Sequence, residues 1–162
     1  MKLRVQSLEA LAAAMLVMTV HVPTTFGQGN VTAEGSFTFV TSSESVVLPG
    51  DRALLRFVNN GFILTDDPTS PLHQSATTCT GATVVSAAGD PGVGYGHCDA
   101  IDKDGDLWTL WFRNDAHGGP WGYIGGTGKF EGINGGGTWT EGPQWPDGRG
   151  INTWEGSYTL ER

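Results

Sequence analysis

Apolar and polar residues alternate in short stretches along most of this chain, and glycine-rich turns break the stretches apart. Residues 36–40 (SFTFV) alternate strictly. Residues 80–87, 95–101, 107–113 (LWTLWFR), 121–125, 135–141 and 151–161 (INTWEGSYTLE) keep a period of two or run as short apolar blocks. Successive side chains of a strand point to opposite faces, so this period predicts half-buried strands. No window of a dozen residues repeats at i, i+3, i+4 and i+7, the spacing of an amphipathic helix. Residues 52–64 (RALLRFVNNGFIL) hold Asn59-Asn60-Gly61 between two apolar runs, a hairpin-turn signal. Residues 65–73 and 114–120 read as loops, and residues 89–92 (GDPG) and 102–106 (DKDGD) as turns. The pattern predicts eight or nine strands joined mostly as successive hairpins. Short connections favour antiparallel pairing, and closing such a sheet into a barrel removes its exposed edges.

The N-terminus breaks this pattern. Lys2 and Arg4 precede a continuous apolar run at residues 11–20 (LAAAMLVMTV). A bilayer-spanning helix needs about 20 apolar residues, so the run suits the core of a signal peptide better than an anchor. Thr25 and Gly27 are small residues at −3 and −1 of a cut after Gly27. The expected organisation is a signal peptide over residues 1–27 and one domain over residues 28–162. An uncleaved anchor is the alternative. No other segment is apolar enough to cross a membrane, so after cleavage the chain is expected in an extracytoplasmic compartment, secreted or periplasmic.

Charge and cysteine content narrow the partners. Removing Lys2, Arg4 and Glu9 takes the formal charge from −8 to −9. An acidic surface repels nucleic acid and anionic lipid, so neither is an expected partner. The only cysteines, Cys79 and Cys98, both lie in the expected mature chain, 19 positions apart. In an oxidising compartment an isolated pair forms a disulfide, and no further His or Cys stands at metal-ligand spacing.

Three short motifs invite chemistry and fall short of it. Asp102-x-Asp104-x-Asp106 gathers oxygens as a calcium loop does, but an EF-hand needs Gly at its sixth position and Glu at its twelfth. Counted from Asp102, those positions hold Leu107 and Arg113, and the segment reads as a turn with no metal. Gly125-Gly126-Thr127-Gly128-Lys129 resembles a phosphate loop superficially, but Phe130 stands where Ser or Thr is required and no helix pattern follows. His73, His97 and His117 belong to no zinc-protease spacing, and there is no G-x-S-x-G elbow. No cofactor is implied.

The tryptophans carry the remaining signal. All six lie between Trp108 and Trp154. Alternation puts Trp108, Leu110 and Phe112 on one face of their strand and Trp111 with Thr109 and Arg113 on the other. One tryptophan of this strand must therefore line whichever face is inside. Trp139 and Trp154 read as core, whereas Trp111, Trp121 and Trp145 are open to a ligand-facing role. Arg56 shares a strand face with Leu54 and Val58, and is either an outward residue or a buried charge with a partner. The candidate ligand-binding set is Arg56, Trp108, Trp111 and Trp121, with no catalytic residue assigned.

Gly125-Gly126-Thr127-Gly128-Lys129-Phe130-Glu131-Gly132, followed by Gly137-Thr138-Trp139, resembles the G-G-T-G-x-F segment of dirigent proteins and allene oxide cyclases. Cys98, the Asp-x-Asp-Gly-Asp turn, the aromatic strand to Trp111, and the closing W-x-G-x-Y-x-L of residues 154–160 resemble small secreted bacterial proteins related to that barrel. The resemblance implies an eight-stranded antiparallel barrel with a central cavity and a calycin-like shape. It implies a role in binding or steering a small apolar or aromatic molecule, or a cyclase or isomerase acting on an unstable apolar substrate in the same cavity. A non-catalytic carbohydrate-binding module is a third reading, suggested by the tryptophans alone. Fold does not by itself fix function.

Overall fold

The structure is a computed structural model that describes residues 29–86, 88 and 91–160. The expected signal peptide and its cut after Gly27 lie outside the described residues. Eight strands follow in order: β1 Val31–Leu48, β2 Arg52–Thr65, β3 Ser75–Ser86, β4 Pro91–Ile101, β5 Leu107–Asp115, β6 Gly118–Gly126, β7 Asn134–Gln144 and β8 Arg149–Thr159. Each pairs antiparallel with its neighbours in sequence, and β1 pairs with β8 to close the sheet into a barrel. The helical content among the described residues is a single 3-10 turn at Gly128–Phe130.

The strands are longer than the local pattern predicts, for two reasons. The Asn59-Asn60-Gly61 signal is not a turn. β2 runs straight through it, with Asn59 opposite Thr41 and Gly61 opposite Phe39 on β1. The two amides are used across the sheet: Thr41 Oγ1 donates to Asn59 Oδ1 at 2.7 Å, and Thr78 Oγ1 donates to Asn60 Oδ1 at 2.9 Å. Gly61 is needed for close approach rather than for turning. A Cβ there would lie 1.8 Å from the Thr38 carbonyl oxygen. The expected loop at 114–120 is also mostly strand, because β5 and β6 join through a tight turn at Ala116 and His117, with Ala116 at a positive φ of 57°.

Alternation along each strand sends one set of side chains into the barrel. Phe37, Phe39, Trp108, Phe112 and Trp121 are buried inward-facing residues. Cys79 and Cys98 are direct register partners on β3 and β4, bridged by a disulfide with their Cα atoms 3.9 Å apart.

One end of the barrel is floored. The β2–β3 connection seats Leu72, the β6–β7 connection seats Phe130, and Trp108 lies above them; each of the three is at most 2% exposed. This floor joins two motifs that the sequence presents separately. Asp102 Oδ1 accepts the backbone N–H groups of Asp104 and Asp106 at 2.9 and 3.0 Å, shaping the acidic turn. Lys129, from the Gly-Gly-Thr-Gly-Lys segment, places Nζ 2.5 Å from Asp102 Oδ2, pairs also with Asp104, and stands 4.0 Å from Asp106 Oδ2. Thr127 Oγ1 accepts the Leu107 N–H at 2.9 Å, stitching the same two segments. The segment that looks like a phosphate loop is a clasp on an acidic turn.

Candidate functional site

The barrel interior is a cavity of about 520 Å³. Its depth and its mouth differ in chemistry. The deep wall is aromatic. Trp121 packs edge-to-face on Tyr123 at 5.2 Å and on Trp154 at 6.0 Å, and Trp108 meets Tyr123 the same way at 5.8 Å. Phe112 meets Trp139 at 6.5 Å, with their planes at 87°. Edge-to-face pairs are favourable beyond the area they bury, so the wall is braced by its own rings. Phe112 reaches across because Gly96 on β4 has no side chain; a Cβ there would lie 2.2 Å from the ring. Burial, with a smaller contribution from neighbouring Tyr158, pushes the Tyr123 phenol far above its ordinary pKa, so it stays neutral.

Three indole N–H groups of the wall are satisfied by the barrel itself. Trp108 Nε1 donates to Ser75 Oγ at 3.3 Å, Trp121 Nε1 to the Thr138 carbonyl at 3.1 Å, and Trp139 Nε1 to the Arg113 carbonyl at 3.0 Å. Two residues that line the cavity each carry a buried polar atom with no hydrogen-bond partner among the described residues: Trp154 Nε1 and Asn114 Oδ1. Buried polar groups without partners are rare in folded proteins and call for an explanation.

The mouth is polar. Asn114, His117, Glu141, Gln144 and Asn152 line it, from the ends of β5, β7 and β8 and the β5–β6 turn. The His117 ring, with Nδ1 toward Glu141 Oε2, makes a 2.8 Å contact, and Gln144 Nε2 donates to Asn152 Oδ1 at 3.4 Å. Ala116 and His117 are exposed, so the cavity reaches the surface at this end.

The four sequence-derived candidates divide evenly. Trp108 and Trp121 line the cavity. Arg56 and Trp111 do not. The alternation that points Leu55 and Phe57 inward turns Arg56 outward, where its side chain is 58% exposed and pairs with Glu44 at 3.3 Å. Arg56 is thus a surface ion-pair residue on the outside of the barrel rather than an interior anchor. Trp111 is 43% exposed on the outer face, its indole lying over Gly122 of β6. Trp145, in the β7–β8 turn, is exposed as well. The mouth residues Asn114 and His117 fall in the stretch 114–120 that the pattern reads as a loop, and Glu141 ends a predicted strand with no local signal that it faces the cavity. Carrying the alternation of Trp108, Leu110 and Phe112 one step further would have found Asn114.

No family model matches this chain, and no curated protein matches it. Solved structures do. The pterocarpan synthase dirigent protein GePTS1 superposes with a TM-score of 0.50 at 12% identity, over 93% of this chain and 100% of that one. The pterocarpan synthase dirigent protein PsPTS1 superposes with a TM-score of 0.51 at 9% identity, over 84% of this chain and 98% of that one. At such identities the likeness speaks to architecture, and it agrees with the strand order and closure described above. The chain shares its fold with these dirigent proteins: eight antiparallel strands closed into a barrel, here around an aromatic cavity.

Proposed function

We propose that this domain binds or steers a small, mainly apolar or aromatic molecule inside the barrel. The observation that carries the reading is a cavity of about 520 Å³ walled by interlocked aromatic rings and open at one end. That volume falls within the usual range for small-molecule sites, roughly 300–1,000 Å³. The fold shared with two pterocarpan synthase dirigent proteins supports a ligand of this general size and character. Trp108 and Trp121 form part of the binding wall in this reading. The Cys79–Cys98 disulfide supports export, with the signal peptide cut near Gly27, and mass spectrometry of the secreted chain reads that cut directly.

Titration with N-phenyl-1-naphthylamine, a neutral apolar fluorophore, tests the binding reading. Saturable binding with one site per barrel is expected, and Trp121→Phe should weaken it. Trp111→Phe and Arg56→Ala should leave it unchanged, because both side chains lie outside. Absence of saturable binding by this and related apolar aromatics would mean the interior is only a packed core.

A second reading, cyclase or isomerase chemistry, is favoured by the His117–Glu141 contact at the mouth. An imidazole oriented by a carboxylate is a common general base. The carbohydrate-binding reading is weaker, because the interior tryptophans stand edge-to-face rather than coplanar. On the outside, Trp111 of β5 and Trp145 of the β7–β8 turn are both exposed, and no ring contact joins them among the described residues.

A further inference from the structure

Resting on the reading of the barrel as a small-molecule binder, we propose that the cavity selects its ligand by head group. The apolar body enters first. A hydrogen-bond-donating head, neutral or carrying a protonated amine, stays at the mouth against Glu141 and Asn114. An anionic head is rejected.

Few charged side chains face the cavity. Among the described residues no Lys or Arg lines it, and apart from the neutral Tyr123 its titratable side chains are His117 and Glu141. His117 is 79% exposed, while Glu141 is only 37% exposed and turned toward the interior rim. The nearest fixed cation on β5, Arg113, is already engaged by Asp115 at 2.5 Å. A carboxylate head entering here would meet the Glu141 carboxylate with no Lys or Arg of the described cavity wall to offset it. Like charges that are partly withdrawn from water repel more strongly than in bulk solvent.

The hydrogen-bonding balance points the same way. An ionised carboxylate accepts about four hydrogen bonds, and His117 accounts for one on Glu141. Asn114 Oδ1, on the inward side of β5, is an acceptor buried without any donor among the described residues. The amides opposite are paired to each other through Gln144 and Asn152, and Thr41 already donates to Asn59. The mouth thus holds acceptors with hydrogen-bonding capacity left over, on Glu141 and on Asn114 Oδ1. A ligand head that supplies N–H or O–H groups completes it, whereas one that supplies only acceptors leaves Asn114 Oδ1 buried and unmatched. The deep wall is aromatic, and Trp154 Nε1 is its one buried unmatched polar atom among the described residues, so the rings favour the apolar body inward and the polar head outward.

Three near-isosteric probes test the inference by displacement of N-phenyl-1-naphthylamine: 1-naphthylmethylamine, 1-naphthalenemethanol and 1-naphthoate. The titrations are run at pH 8 and about 0.15 M salt, where charges more than about 8 Å apart are largely screened, so that the acidic surface as a whole contributes little. The amine should bind about tenfold tighter than the carboxylate, a ratio equivalent to about 1.4 kcal/mol, with the alcohol between them. In Glu141→Gln, which keeps an acceptor for His117, the amine-to-carboxylate ratio should fall to about twofold or less while the alcohol is unchanged. In Asn114→Leu the alcohol and amine should both weaken and the parent fluorophore should not. Equal affinities of the three probes, or a ratio that survives Glu141→Gln, would overturn the head-group inference and leave apolar binding intact. Failure of the fluorophore and all three probes to bind would overturn the binding reading itself, and the inference with it. Thermal melts of both variants separate loss of binding from loss of fold.

Discussion

Lys129 and Asp102 meet across the closed end of the barrel, Nζ 2.5 Å from Oδ2, where the acidic turn would otherwise hold three carboxylates together. Asp102 is 3% exposed at its side chain and Lys129 is 26% exposed. Burial alone would raise the Asp102 pKa. The Lys129 bond and the amides of Asp106 and Asp104 outweigh it and hold the carboxyl below its ordinary value. The bonds to Asp102 and Asp104 raise the Lys129 pKa above the usual lysine range.

Lys129→Met should therefore destabilise the domain. Breaking a fully buried pair costs about 3–5 kcal/mol and an exposed one at most about 1, so about 1–3 kcal/mol is expected for this half-screened pair. The loss should be constant from about pH 5 to pH 9, between the ordinary carboxylate and lysine values. It should shrink in acid, as the lowered Asp102 carboxyl takes up its proton, and in strong base, as the raised Lys129 ammonium loses one. Denaturant melts of wild type and variant across this range are the measurement. A difference under about 0.5 kcal/mol, the scale of ordinary surface substitutions, would show that the clasp is decorative.

Calcium should not bind the acidic turn of the wild-type protein more tightly than about millimolar, the weak end of extracellular sites. The ammonium of Lys129 stands among the carboxylates that a cation would need. Calorimetric titration checks this, and micromolar binding abolished by Asp104→Ala would contradict it.

The Cys79–Cys98 bond joins register partners on neighbouring strands whose sequence separation is 19. In the chain-entropy model such a loop contributes about 3 kcal/mol, which should appear as a melting temperature lowered by roughly 10 °C on reduction. The disulfide also forms part of the cavity wall, so ligand affinity should be compared before and after reduction in the same samples. An unchanged melting temperature, or two free thiols in protein folded under oxidising conditions, would refute the assignment.

Gly61→Ala should be among the more damaging single substitutions. Its new methyl would lie 1.8 Å from the Thr38 carbonyl oxygen and 2.7 Å from Phe39 Cα, both backbone atoms that cannot rotate away. Overpacking of this kind costs about 1–3 kcal/mol or more, and urea melts should place the variant at the upper end of that range. A variant as stable as wild type would mean that β1 and β2 separate freely at this corner.

How far the sequence alone carried this protein is visible in β5. The period of two in residues 107–113 was enough to put Trp108, Leu110 and Phe112 on one face and Trp111 on the other, because alternation is a property of any strand. The disulfide partners were readable because only two cysteines exist. The closed all-β architecture followed from many short apolar stretches with brief connections and no helical stripe. Alternation could not say which face is inside. That was decided by closure of β1 onto β8, which gave every strand one concave face at once and sent Trp111 and Arg56 outward. Asn59-Asn60-Gly61 shows the same limit from the other side. Its local preference is to turn, but Thr41 and Thr78 on the flanking strands bond its amides, and the sheet prevails over the propensity. Nor could any local signal join Asp102 to Lys129, or Asn114 to Glu141. These pairs are distant along the chain, and only the floor and the mouth of a closed barrel bring them together, where burial and unmatched hydrogen bonds give them their chemistry.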